Sequence, residues 1–367
     1  MIDPRVDKLA RVMTNYSLKL KKDQLLKIVG DVSAMPLIEA VYREAVKVGA
    51  NPYVQIRVAN NDETMLKHGT DEQITFMPPH LRTEFNKIDA YLGIFANTNT
   101  RYLAGVEPRK QVMARKAMHP LMRIFYRREA AGELNWCGTQ FPTLADAQEA
   151  DMSLSDYEDF VYKAGHLHKG DPVKHWKKVH REQARLCGIL DKVDQLHVRA
   201  EDTDLTLRVG GRKWINCAGE QNFPDGEIFT GPIEDSADGH IRYTFPAVYG
   251  GREVDDVRLW FKRGRVVKED AGKNREYLKA MLDMDKGARR IGEFAIGTNY
   301  QIKQFSRNIL FDEKIGGTCH LAVGNSIPES GGKNKSGLHW DMVCDLKKGS
   351  EITADGKVIY RNGKFTI

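Results

Sequence analysis

Near residue 195 the texture of the chain changes, and that change constrains the fold more than any other feature. Before it, short apolar runs alternate with amphipathic stretches. Leu25 to Val29 is an apolar run ending at Gly30-Asp31, and Pro52 to Ile56 and Ala90 to Phe95 are runs of the same kind. Asp7 to Leu20 places Leu9, Val12, Met13 and Tyr16 at the spacing of one helical face. Met35 to Val48 does the same with Leu37, Ile38, Val41, Ala45 and Val48, and Gly49 follows as a stop signal. Residues 108–131 and 155–190 read as mainly helical. Buried strands alternating with helices predict a parallel sheet covered by helices.

After residue 195 the runs become short and often alternate: Leu196 to Ala200, Leu205 to Val209, Trp214 to Cys217, His240 to Phe245, Val257 to Phe261 and Val266-Val267. Glycines punctuate them at Gly210-Gly211, Gly250-Gly251 and Gly264, and Asp355-Gly356 and Asn362-Gly363 are hairpin dipeptides. One helix, about 274–287, interrupts. The fold class expected is an α/β N-terminal domain, a parallel sheet with helices, followed by an antiparallel-rich α+β domain. With 367 residues, two domains are the natural division, and the boundary is expected at 1–195 and 196–367.

Composition excludes several functions. Hydrophobic residues are 41% and charged residues 29%, the balance of a soluble globular protein. No apolar run is long enough to cross a bilayer, so no membrane partner is expected. The start, MIDPRVDKLARV, lacks the apolar centre of a secretory signal, and a cytoplasmic protein is expected. Five cysteines without a C-x-x-C pair argue against a disulfide framework and against a zinc ribbon. The net charge of +6 is spread among interleaved acids and bases, as in KEDAGKNREYLKAMLDMDKGARR. A nucleic-acid surface would concentrate its bases in one stripe, so no nucleic-acid partner is expected.

The chemistry is concentrated between Glu293 and Asp345. Within about fifty residues lie Glu293, Glu313, His320, His339 and Asp341, set in glycine-rich loops. Imidazole with carboxylate is the donor set of zinc, cobalt, manganese or iron. On an extended strand His339 and Asp341 share a face, so both can meet one cation. Each residue taken singly has an ordinary reading: a lone histidine is more often a satisfied core residue, and an acid after a turn is usually exposed. Upstream, Glu227 follows a Pro-Asp-Gly turn at the mouth of a strand. Two motifs are decoys. In SGGKNKSG, Lys333 precedes Asn334 rather than Ser or Thr, and Ile327 stands where a phosphate loop needs glycine. His166, His168, His175 and His180 sit among Lys163, Lys169, Lys174 and Lys177, which would repel a cation.

The segments NFPDGEIFTGP, IGEFAIGTN, ILFDEKIGGTCHLAVG and PESGGKNKSGLHWDMVCDL, in that order, together with FPTLADAQEADMSLSDYEDFVYKA, resemble the thermophilic-type metalloaminopeptidases, the family of aminopeptidase T and aminopeptidase S. The resemblance runs over nearly the whole chain. It implies a homodimeric enzyme that removes the first residue of peptides with a free N-terminus. It also implies two divalent metal ions in the C-terminal domain, held by Glu227, Glu293, Glu313, His320, His339 and Asp341, with Glu227 or Glu293 as general base. Relatives carry a tyrosine seven residues after the first motif histidine, where this chain has Ile327. Isoleucine donates no hydrogen bond, so electrophilic help falls to metal or to His339. Two alternatives stay open: a mononuclear iron, ring-cleaving dioxygenase, a distant cousin of the family, and a catalytically weak metal- or peptide-binding relative.

Overall fold

The apolar runs of the first hundred residues become the strands of a parallel sheet. In the computed structural model, which describes residues 3–367, the chain forms two units: one up to Val173 with Gly219–Pro224, the other Lys174–Ala218 with Asp225–Ile367. In the first unit α1 (Pro4–Val12) starts on Asp3, whose side chain caps the Arg5 amide. It ends in one wide turn, Met13–Ser17, closed by the Leu18 amide on the Met13 carbonyl. The helical stretch expected to Leu20 is therefore shorter, while the wider turn still buries Met13 and Tyr16. Then come β1 (Leu25–Asp31), α2 (Met35–Val48), β2 (Asn51–Arg57), α3 (Ala59–His68), α4 (Asp71–Thr75), α5 (Pro79–Phe85), β3 (Ala90–Phe95), α6 (Pro108–Ala130), β4 (Asn135–Gln140), α7 (Leu144–Glu149) and α8 (Leu154–Ala164). Gly49, at φ +86°, ends α2 in the left-handed conformation that glycine allows.

The next helix, α9 (Pro172–Leu190), is separate from α8. The single helical stretch expected over 155–190 breaks because His166 and Gly170 both adopt positive φ and Pro172 restarts the helix. The second unit continues with β5 (Gln195–Ala200), β6 (Thr203–Arg208) and β7 (Ile215–Cys217). The chain then returns to the first unit, where β8 (Asn222–Phe223) pairs with β4. That sheet has the order β2-β1-β3-β4-β8, every pairing parallel.

The remainder of the second unit is β9 (Glu227–Thr230), β10 (Asp238–Arg242), β11 (Ala247–Tyr249), β12 (Arg252–Val254), β13 (Arg258–Lys262), β14 (Arg265–Asp270), α10 (Arg275–Leu282), β15 (Ile291–Gly297), α11 (Ile309–Asp312), β16 (Thr318–Gly324), β17 (His339–Asp345), β18 (Glu351–Ala354), β19 (Lys357–Arg361) and β20 (Lys364–Phe365). An eight-stranded sheet, β14-β13-β10-β6-β5-β18-β19-β20, and a five-stranded sheet, β17-β16-β15-β9-β7, carry them, with β11 and β12 paired apart. Asp355-Gly356, Asn362-Gly363 and Gly250-Gly251 all have positive φ and link adjacent strands, as type I′ turns require. Gly210-Gly211 instead leads from one sheet to the other.

One continuous core fills this unit. Leu196, Val198, Leu205, Ile241, Leu259 and Ile352 of the larger sheet pack with Phe294, Ile296, Leu321, Val323, Met342 and Cys344 of the smaller. These residues alternate along β15, β16 and β17, so the core takes one face of the five-stranded sheet and leaves the other for different work. Phe294, fully buried and edge-on to Trp214 at 6.4 Å, sits at the centre of the inner face. Phe294→Ala should cost about 3–5 kcal/mol in denaturant unfolding; a loss below about 1 kcal/mol would contradict this packing.

Candidate metal centre

Strand register decides which residues share the outer face of the five-stranded sheet. Phe229, Ala295, His320 and Val343 lie in one cross-strand row. Glu227 pairs with Gly297 on one side of that row, and Glu293, Ala322 and Asp341 form a row on the other, next to a bulge at Gly292. His339 is two residues from Asp341 and points the same way. Where β15 and β16 do not carry a donor in these rows they carry Ala295, Gly297 or Ala322, which leave room beside the acids and imidazoles. Gly297 is fixed by a second constraint: a Cβ there would overlap the Ile315 carbonyl oxygen.

Six side chains meet on this face. His320 Nε2 lies 3.4 Å from Glu227 Oε2, 3.5 Å from Glu293 Oε1 and 4.0 Å from Asp341 Oδ1. His339 Nε2 lies 3.1 Å from Asp341 Oδ2 and 3.7 Å from Glu293 Oε2. Glu313 arrives from the end of α11. Two sets have donor atoms within 4.8 Å of one another: Glu227, Glu313 and His320, and Glu293, His339 and Asp341. A third, Cys217, Asp225 and Glu227, overlaps the first.

The surroundings aim these groups. His339 Nδ1 donates to the Asn325 carbonyl at 2.7 Å; a carbonyl only accepts, so the hydrogen sits on Nδ1 and Nε2 faces the cluster. The Gln183 side chain, from α9, donates to the Glu227 carbonyl at 2.9 Å and accepts from Thr298 Oγ1 at 2.8 Å. The Asn299 side chain donates to the Asp225 carbonyl at 2.8 Å, and its amide bonds the Lys314 carbonyl at 3.0 Å.

Lys314 is the residue that sequence reasoning missed. Its side chain has no exposure, and its Nζ donates to Glu227 Oε1 at 2.7 Å and to Glu313 Oε1, with Asp225 Oδ1 at 3.9 Å. The signal was present as the lysine directly after Glu313, but a lysine beside a glutamate in sequence is ordinarily a surface pair. In the sequence Asp225 is part of a Pro-Asp-Gly turn. Here both lie at the floor of the cluster, 2% and 0% exposed respectively for Asp225 and Lys314.

Even with Lys314 in place, buried polar atoms remain without a hydrogen-bond partner in the protein: Glu227 Oε2, Glu293 Oε2, Asp341 Oδ1 and both ring nitrogens of His320. Leaving such groups unsatisfied costs about 1–3 kcal/mol each and more when charged. Burial raises the proton affinity of Glu227 and Glu293 despite the opposing cations. At His339 the Asp341 carboxylate raises the pKa to about 10. Burial opposes protonation of His320, but the carboxylates of Glu293, Glu227 and Asp341 win and raise it to about 9. The donor set, unsatisfied and converging, suits divalent cations.

The sequence matches the thermophilic metalloprotease (M29) family over residues 2–365. The chain belongs to that family. Among its relatives, aminopeptidase 2 of Geobacillus stearothermophilus is 28% identical, with 100% of this chain and 98% of that protein covered. Aminopeptidase AmpS of Bacillus subtilis (strain 168) is 25% identical over 98% of this chain and 97% of that one. Wild-type AmpT from Thermus thermophilus has the same fold, with a TM-score of 0.87 at 22% identity over 100% of both chains. Membership makes the protein a metallohydrolase that uses divalent metal, and it does not favour the ring-cleaving dioxygenase.

His166, His168, His175 and His180 belong to none of the groups, among the described residues, that could hold a metal. Among those residues no helix is long and apolar enough to cross a membrane. Ile327 follows β16, half-buried, with its carbonyl accepting from Ser330 Oγ at 2.7 Å.

The histidines give a pH test of the metal-free M29 fold. A histidine pKa raised from 6.5 to about 9 or 10 stabilises the fold fully below 6.5, and that stabilisation is lost as pH rises through the folded values. Chelator-treated protein should therefore lose thermal stability by calorimetry between pH 6.5 and about 10, and saturating divalent metal should remove most of that loss. Identical profiles with and without metal would contradict the assignment.

Proposed function

We propose that this protein is an aminopeptidase, hydrolysing the N-terminal peptide bond of peptides at a centre of two divalent cations (zinc, cobalt or manganese). The observation that carries the reading is the set of buried, unpartnered donor atoms on Glu227, Glu293, His320 and Asp341, turned toward one another on one face of the sheet. Glu227, Glu313 and His320 would hold one cation, and Glu293, His339 and Asp341 the other. Charge supports the count. Once His320 and His339 give up their protons to bind metal, Asp225, Glu227, Glu293, Glu313 and Asp341 face a single ammonium, leaving four negative charges that two divalent cations would balance. The names of the relatives, aminopeptidase 2 and AmpS, support the substrate class.

Cations bound there would polarise the scissile carbonyl and bring the pKa of a water from 15.7 towards about 7. The chain's own residues divide the rest. Lys314 donates to Glu227 Oε1 and so opposes the rise in proton affinity that burial causes there. Glu293, whose proton affinity burial raises and whose Oε2 has no partner, is the better carrier of the proton to the leaving amine. His339 is the most exposed of the six side chains, at 32%, and so stands where substrate arrives. With its Nδ1 hydrogen on the Asn325 carbonyl and Nε2 turned to a cation, His339 would have no N–H for the carbonyl oxygen, and Ile327 offers none, so polarising that oxygen would fall to the cations.

Leucyl and arginyl p-nitroanilides, with and without N-acetylation, test the reading. Hydrolysis should require a free amino group, fail after chelation and return with cobalt, zinc or manganese. Chelator-resistant turnover, or equal turnover of acetylated substrates, would overturn it. Ile327→Tyr should raise kcat by about tenfold to a hundredfold, the scale of one added donor to the developing oxyanion. An unchanged kcat would remove Ile327 from the account.

A further inference from the structure

A cleft opens directly beside the metal-holding cluster, within the second unit. It measures about 130 Å³, and Asp341 forms part of its wall. Val343 lines it too; Val343 lies two residues beyond Asp341 on the same face of β17 and is the register partner of His320. The remaining apolar wall is Pro246, Val248, Phe305 and Ile309. Val248 and Ile309 leave 37% and 49% of their surfaces exposed, an apolar surface at the edge of a charged centre. Phe305 is held in place by stacking on Phe245, with ring centroids 5.5 Å apart at 21°.

Besides Asp341, two charged residues reach the cleft, and each is engaged by its own neighbours. Arg307 Nε donates to Glu253 Oε2 at 2.7 Å. Asp312 Oδ1 accepts from the Ser306 amide at 2.7 Å and from Ser306 Oγ at 2.8 Å. A charged substrate side chain entering here would shed water against Pro246, Val248, Phe305 and Ile309, with the charges of Arg307 and Asp312 already committed, which is unfavourable. An apolar one would displace only water from apolar surface. Size narrows the class: an apolar cavity of about 150 Å³ takes a benzene-sized guest. The cleft thus suits a branched aliphatic or thioether side chain.

We propose that this cleft receives the side chain of the substrate's first residue and selects leucine, isoleucine, valine or methionine there. The inference rests on the aminopeptidase reading, because it is the bond after that residue that must lie over the cluster while the side chain drops beside Asp341. Val248, Phe305 and Ile309 are then specificity-determining residues, remote from the proton transfers.

Two measurements on metal-loaded protein test it separately from that reading. The first compares kcat/KM for leucyl, lysyl, glutamyl and tryptophanyl p-nitroanilides. The second compares calorimetric affinity for leucine hydroxamate and lysine hydroxamate, which reports the cleft without turnover. Leucine should lead lysine by at least about tenfold in both, the scale of hydrophobic-pocket discrimination. Val248→Asp, which adds a carboxylate to the wall, should move both ratios toward lysine by at least about tenfold while metal content stays the same. Equal affinity for the two hydroxamates, or ratios unmoved by Val248→Asp in a folded, metal-loaded variant, would overturn the proposal. Selective hydroxamate binding with no anilide hydrolysis would leave the cleft standing and sink the peptidase reading.

Discussion

Carboxylates crowded on a water-poor face repel one another, and the second unit is arranged around that repulsion. Glu227, Glu293 and Asp341 are all close to His320 Nε2, at distances between 3.4 and 4.0 Å. Glu293 and Asp341 offer carboxylate oxygens within 4.8 Å of one another, and at about that spacing two like charges in a medium of effective dielectric 20 cost about 3–4 kcal/mol. Lys314 answers part of this, from below, by holding Glu227 and Glu313. It cannot answer all of it, because Glu293 and Asp341 lie on the far side of the His320 row. A charge deficit persists at the place where the unpartnered atoms converge, and divalent cations are the charges that fit it.

The sheet makes this arrangement possible by dividing its two faces. Phe294, Ile296, Leu321, Val323 and Met342 turn inward to the core, and the residues between them turn outward to the centre. The same strands thereby stabilise the unit and position its chemistry, so a register slip of one residue would exchange core and site together. The outward face could hold acids only because Ala295, Gly297 and Ala322 keep the room beside them open.

Much of this was legible in the sequence, for physical reasons that differ by element. Met35–Val48 could be read end to end because its apolar stripe has helical period and Gly49 stops it. Ala90–Phe95 was equally plain as an apolar run. The strand β4, NWCGTQ, was not, because its pairing between two other strands comes from tertiary context and its residues are mostly polar. At the site, the donor types and the i, i+2 spacing of His339 and Asp341 pointed to one face, and the structure gathers all six candidate residues there. Lys314 and Asp225 stayed hidden. Their significance lies in burial, which a single sequence does not display for a lysine beside a glutamate or an aspartate in a turn.

The central claim is that the face of β15, β16 and β17 gathers divalent cations. Anomalous diffraction from crystals grown without chelator and with manganese or zinc tests it most directly. The account predicts two anomalous peaks, one bounded by Glu227, Glu313 and His320 and the other by Glu293, His339 and Asp341. No peak within coordination distance of these side chains, in crystals that hold the metal elsewhere, would contradict it.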